Sequence, residues 1–216
     1  EHIVTSVLSE KGLSEQEILS AINPELAPME LVFEQALAME HLPTAERQRY
    51  EARLHESKVV LIRSLISDNL RYINIAKEWF TINDLAKIRR RRIGAGRIGG
   101  KAAGMLLAQH ILKNNTELNA LPCISTPESY FVGSDEMYTF MSINNLIRWN
   151  DQKYKNEAEM RSDFPSIVEE FKKGTFPPDI LDQLQTLLIK IDEKPIIVRS
   201  SSLLEDNFGT SFAGKY

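Results

Sequence analysis

The sequence predicts a mixed α+β or α/β fold, with a helical N-terminal region followed by a part that alternates helices and short strands. Three observations carry this. Residues 44–80 hold two apolar seams at helical spacing. Ser129–Val132 and Pro195–Val198 are short apolar runs between helical stretches. Between the two halves lies the glycine-punctuated segment Ile93-Gly94-Ala95-Gly96-Arg97-Ile98-Gly99-Gly100-Lys101-Ala102-Ala103-Gly104, directly after Arg89–Arg92.

In chain order, residues 1–25 predict a short amphipathic helix, with Ser14 and Glu17 as a capping box and Pro24 as its stop. Leu31, Phe33 and Leu37 predict a second helix over 28–39. A third is expected from Thr44, as N-cap, to about Phe80. Tyr50, Leu54, Leu61, Leu65, Tyr72, Ala76 and Trp79 form one seam, and Val59, Ile62, Ile66, Ile73 and Phe80 the other. Two seams mean packing on two sides, as in a bundle. Thr81 with Asp84 caps a helix from Ile82 to about Arg92, whose arginines suit the negative pole of the helix dipole.

A helix is expected over 101–114, with Met105, Leu106, Ile111 and Leu112 on one side. After Pro127 comes the strand 129–132. Ser134-Asp135-Glu136 then caps a helix containing Met137, Tyr138, Phe140 and Met141. Residues 150–157 read as a polar loop, followed by helices over 157–173 and 179–191. Pro195-Ile196-Ile197-Val198 reads as a buried strand whose end delivers Arg199. The expected division is a helical region, 1–92, and a nucleotide-binding part, 93–216.

Composition bounds the function. The chain has 216 residues, 43% of them hydrophobic, and one cysteine, Cys123, which excludes an internal disulfide and fits a reducing compartment. No leader-like opening or transmembrane-length apolar run is visible, so a cytoplasmic protein with no membrane partner is expected. The formal net charge is −4, but residues 85–116 hold eight bases and no acid, leaving 18 bases against 30 acids elsewhere. A basic site on an acidic body favours a compact anion such as a nucleoside triphosphate over a long polyanion, which argues against nucleic acid. The absence of an initiator methionine and the ending Gly214-Lys215-Tyr216 suggest a piece of a longer protein.

Glycines permit close backbone approach, and a helix starting at Lys101 offers N–H groups to an anion. Gly94, Gly96 and Gly99 satisfy G-x-G-x-x-G, but the segment before them reads as helix where a dinucleotide fold needs a strand. Walker A fails at Ala95 and at Ala102, where glycine and a hydroxyl are required. What survives is Gly99-Gly100-Lys101-Ala102 at a helix start, with Lys101 a movable point charge. Arg199, followed by Ser200-Ser201-Ser202 and the hydroxyl- and glycine-bearing stretch to Gly214, is either a bidentate phosphate contact or a structural ion pair beside a turn.

Gly99-Gly100-Lys101-Ala102, the stretch from Pro127 to Tyr138, Val198-Arg199-Ser200-Ser201, Glu205-Asp206 and Ser211-Phe212-Ala213-Gly214 occur in this order. Together they resemble the N-terminal nucleotide-binding domain, of ATP-grasp fold, of phosphoenolpyruvate synthase and pyruvate phosphate dikinase. The resemblance covers 93–216. It implies that Lys101 and Arg199 contact ATP phosphates and that the loop from Ser200 to Gly214 folds over them; Arg97, Gly99, Gly100, Ser200, Ser201, Gly209, Thr210 and Ser211 complete the expected ATP-binding set.

It also implies that ATP, with Mg, phosphorylates a histidine on another domain, which passes phosphate to an acceptor. The magnesium carboxylates and the phosphohistidine and acceptor domains of the same polypeptide are then expected beyond Tyr216, so this chain alone is expected to be inactive. The alternative is a helical partner-interaction module carrying a degenerate ATP-grasp half.

Overall fold

A computed structural model describes residues 23–114, 125–192 and 194–201. The expected helix over residues 1–25 with its Ser14 cap lies largely outside them. At its end, Pro24 sits in a turn whose Asn23 side chain accepts from the Glu25 N–H at 2.9 Å.

The first described helices are α1 (Met29–Glu40) and the single turn α2 (Thr44–Arg47). Pro43, not Thr44, is the residue before α2. Thr44 is its first helical residue and makes no side-chain cap. A 3₁₀ turn over Gln48–Tyr50 leads into α3 (Glu51–Leu65), and α4 (Leu70–Trp79) follows a break.

The single helix expected from Thr44 to Phe80 is therefore divided. At the main break the Asn69 side chain accepts from the Arg71 and Tyr72 N–H groups and starts α4 afresh, while Ser67 Oγ accepts from the Asn69 N–H. The polar run Ser67-Asp68-Asn69, which can bond its own backbone, competes with helix continuation. The elbow folds the seam residues onto one another: Leu61, Ile62, Leu65, Ile66, Tyr72, Ile73, Ala76 and Phe80 are all buried in one core.

Next, α5 (Ile82–Arg90) begins with the expected Thr81–Asp84 capping box. It gives way to the two-residue strand β1 (Arg92–Ile93). The segment before the glycines, expected to be helical throughout, thus ends as a strand. After the glycine loop come α6 (Gly100–Asn114) and β2 (Phe131–Val132), which pairs in parallel with β1, Arg92 opposite Phe131. A helix joining two parallel strands is the connection that parallel pairing requires.

The buried face of α6 is Ala102, Ala103, Leu106 and Leu107. Of the four residues expected there, Leu106 is buried and Ile111 packs at the edge. The two alanines bring α6 close to α4, and Ala102, Ala103 and Ile98 share the core of α1, α3, α4 and α5.

A second, smaller core of Phe140, Met141 and Leu146 joins α7 (Asp135–Ile143) to Trp149 and Phe171. The expected loop over 150–157 is mostly a 3₁₀ helix, Ile147–Tyr154. Asn156 then caps α8 (Glu157–Lys173) with a Glu159 capping box, and α9 spans Pro178–Ile191.

The expected buried strand over 195–198 is not formed. Ile197 and Val198 are 87% and 89% exposed, with no strand assigned. A strand needs a ladder partner, and the one strand pair among the described residues is β1–β2. The sequence-derived fold class, helices followed by an α+β part, stands.

Candidate nucleotide site

Residues 93–101 run from the end of β1 into the first turn of α6. Their strand–loop–helix setting removes the contextual objection to a dinucleotide motif. The packing, however, gives the glycines another task. Gly94 and Gly96 have φ of +69° and +91°, and a Cβ on them would overlap the side chains of Glu136 and of Ser134 and Asp135. The chain's own residues fill the space that glycines were expected to open to a ligand.

The loop's backbone is correspondingly occupied. The Gly94 N–H donates to Gln183 Oε1 (3.3 Å), Ala95 N–H to the buried Glu136 carboxylate (2.8 Å) and Arg97 N–H to Ser134 Oγ (3.0 Å). Ser134 precedes α7 but does not cap it through its side chain; its hydroxyl serves the loop instead. From the other side Arg92 donates to the Gly94 carbonyl (3.1 Å) and the Gly96 carbonyl (2.7 Å). Burial and neighbouring Arg89 hold the Arg92 guanidinium below its ordinary pKa, with Asp135, Glu30 and Glu136 opposing.

The loop is also tied to the α3–α4 elbow. Ile98 N–H donates to the Leu65 carbonyl (3.1 Å), and Arg97 Nη1 meets Asp68 Oδ2 at 2.6 Å. Buried Tyr72 donates its hydroxyl proton to the Ala103 carbonyl (3.0 Å), and burial raises its pKa.

At the start of α6 the two sequence motifs meet. Ser201 Oγ accepts from the Ala102 N–H and donates to the Ile98 carbonyl, both at 3.1 Å. Gly99, at φ +83°, has no side chain to cap the helix, so Ser201 supplies the hydroxyl from 99 residues away. A Cβ at Gly99 would overlap the Ser201 carbonyl oxygen.

Lys101 is half-buried in the helix's first turn, and Arg199 and Ser200 are exposed two and one residues before Ser201. Gly209, Thr210 and Ser211, like Cys123, lie outside the described residues. Gly99, Gly100, Lys101 and Ser201 are thus brought together at one helix start, with Arg97 on the loop that enters it. Among the described residues, no cluster of three or more His, Cys, Asp or Glu side chains could hold a metal ion.

The arginine run is not a free basic tract. Arg89 pairs with Glu30 and lies over the Phe33 ring, Arg91 is 3.7 Å from Glu128, and Arg92 is committed to the loop. No described helix is long and apolar enough to cross a membrane.

Sequence reasoning missed Glu136, Gln183 and Asp68. Of these, only Glu136 carried a signal, as part of a Ser-Asp-Glu cluster that also predicts a helix start.

A helix bridging two parallel strands, with a lysine in its first turn and a serine segment docked on its N-terminus, has the plan of an α+β nucleotide-binding domain. Residues 95–216, more than half of the chain, match the family model for the pyruvate phosphate dikinase AMP/ATP-binding domain, and the chain belongs to that family. No curated protein and no solved structure matches it.

Proposed function

We propose that this chain supplies the ATP phosphate contacts of a phosphotransferase of the phosphoenolpyruvate synthase and pyruvate phosphate dikinase type, in which a histidine on another domain of the polypeptide receives phosphate. One observation carries the reading: the Ser201 hydroxyl, bonded to both the Ala102 N–H and the Ile98 carbonyl, joins the Arg199-Ser200-Ser201 motif to the Gly99-Gly100-Lys101 motif.

In this reading Lys101 follows the phosphate oxygens as a point charge, Arg199 offers a planar fork, and the α6 N-terminus adds its positive pole. Arg97, Gly99, Gly100, Ser200 and Ser201 line the same place, and Gly209, Thr210 and Ser211 belong to the segment that follows. Phosphoryl transfer depends mainly on such positioning and charge neutralisation. Mg accompanies the ATP in this reading. Residues 1–92 form the helical region and 93–216 the nucleotide-binding part.

The partner-docking alternative is less well supported, because the seam residues from Leu61 to Phe80 are mostly buried in one core, with Leu54, Val59 and Trp79 packed at its edge. The test is calorimetric titration of the full polypeptide with Mg-ATP. Lys101→Ala and Arg199→Ala each weaken binding at least several-fold; unchanged affinity in both variants would sink the assignment.

A further inference from the structure

The family match begins at residue 95, yet the loop entering α6 is held by groups that precede it. Leu65 and Asp68 flank the α3–α4 elbow, and they contact consecutive loop residues, Ile98 through its N–H and Arg97 through its guanidinium. Both backbone polar groups of Arg97 are already bound: its N–H donates to Ser134 Oγ, and its carbonyl accepts from the Ser134 N–H at 2.8 Å. The base of the side chain is therefore fixed, and its outer end is set by Asp68, which engages one guanidinium nitrogen, Nη1.

We infer that Asp68 is a positioning residue for nucleotide binding, acting through Arg97 to aim the guanidinium at the phosphates held at the start of α6; the inference rests on the proposed ATP site. The Asp68 side chain is 63% exposed and that of Arg97 31%, a setting in which an ion pair contributes little to folding. Its service is orientation. One carboxylate oxygen on one guanidinium nitrogen leaves the other N–H groups available to an anion. The helical region outside the family match thereby becomes a working part of the site.

A double-mutant cycle on the full polypeptide tests this, with the Mg-ATP dissociation constant as the readout and thermal midpoints as the folding control. Asp68→Ala weakens binding about fivefold, within the range of couplings between residues in contact. Asp68→Asn, which keeps an acceptor of the same shape, restores part of that loss. In an Arg97→Ala background Asp68→Ala has no further effect. An equal loss in both backgrounds means a merely structural role and overturns the inference. No loss, tighter binding, or an Arg97→Ala variant that binds as well as the unaltered protein also overturns it. Failure of the underlying reading looks different: the unaltered polypeptide does not bind Mg-ATP, or Lys101→Ala and Arg199→Ala both leave its affinity unchanged.

Discussion

The Ser201 hydroxyl stands 3.1 Å from the Ala102 N–H and caps a helix that the residue before it, Gly99, cannot cap. The contact spans the chain from the end of its described part to the glycine loop. Whatever moves the segment 199–201 therefore also changes the start of α6.

Removing that hydroxyl makes this a stability effect. Ser201→Ala is expected to cost about 1 kcal/mol, the usual loss for an N-cap side chain. Ser201→Thr retains the oxygen and should recover part of it. Urea unfolding midpoints measure both, and a Ser201→Ala midpoint equal to the unaltered protein's would show that the cap does not contribute.

The glycines of this region are not equivalent. Gly99→Ala places a Cβ at positive φ against the Ser201 carbonyl and should destabilise by more than about 1 kcal/mol. Gly104 lies within α6, is exposed, and has nothing within 4 Å of where its Cβ would stand. Gly104→Ala should stabilise by about 0.5–1 kcal/mol through helix propensity. Opposite signs in the two melting shifts are expected; a loss at both positions would contradict the packing described.

His110 gives the fold a pH dependence. Its ring meets Phe80 edge-on at 4.6 Å between centroids, and its Nδ1 is 3.7 Å from the Asp84 carboxylate. Burial lowers its pKa below the ordinary 6.5, aided by Lys113 and Lys87 and opposed by Asp84. With the folded pKa below the unfolded one, the unfolded chain binds more protons in that window. Stability is then complete above pH 6.5 and declines as pH falls toward the folded value. His110→Gln should flatten this slope between pH 6.5 and 5, where Asp84, itself held low by its Thr81 hydrogen bonds against burial, stays ionised. Denaturation at three pH values in that range reads it; an unchanged slope in the variant would assign the dependence to other groups.

Legibility followed sequence distance. The Thr81–Asp84 box, the helix over 100–114 and the lysine in its first turn depend on neighbours, and the sequence shows them. The elbow was hidden because Ser67, Asp68 and Asn69 fall between seam positions seven residues apart, so the periodicity continues across a real break. Strand β1 was hidden by its two-residue length. The clamp on the glycine loop comes from Ser134, Glu136 and Gln183, which are 37, 41 and 89 residues from their partners. Tertiary packing puts them there, and no local pattern encodes it. Pro195–Val198 shows the converse: strand-forming residues stay exposed where no described strand pairs with them.

Hydrogen exchange of the full polypeptide with and without saturating Mg-ATP tests most directly whether the α6 start and the Ser201 segment are one site. ATP is expected to slow exchange at the amides of residues 99–101 and 199–201 together, while the α8 amides stay unchanged. Protection of only one of the two segments, or of neither while ATP is bound, would contradict the account.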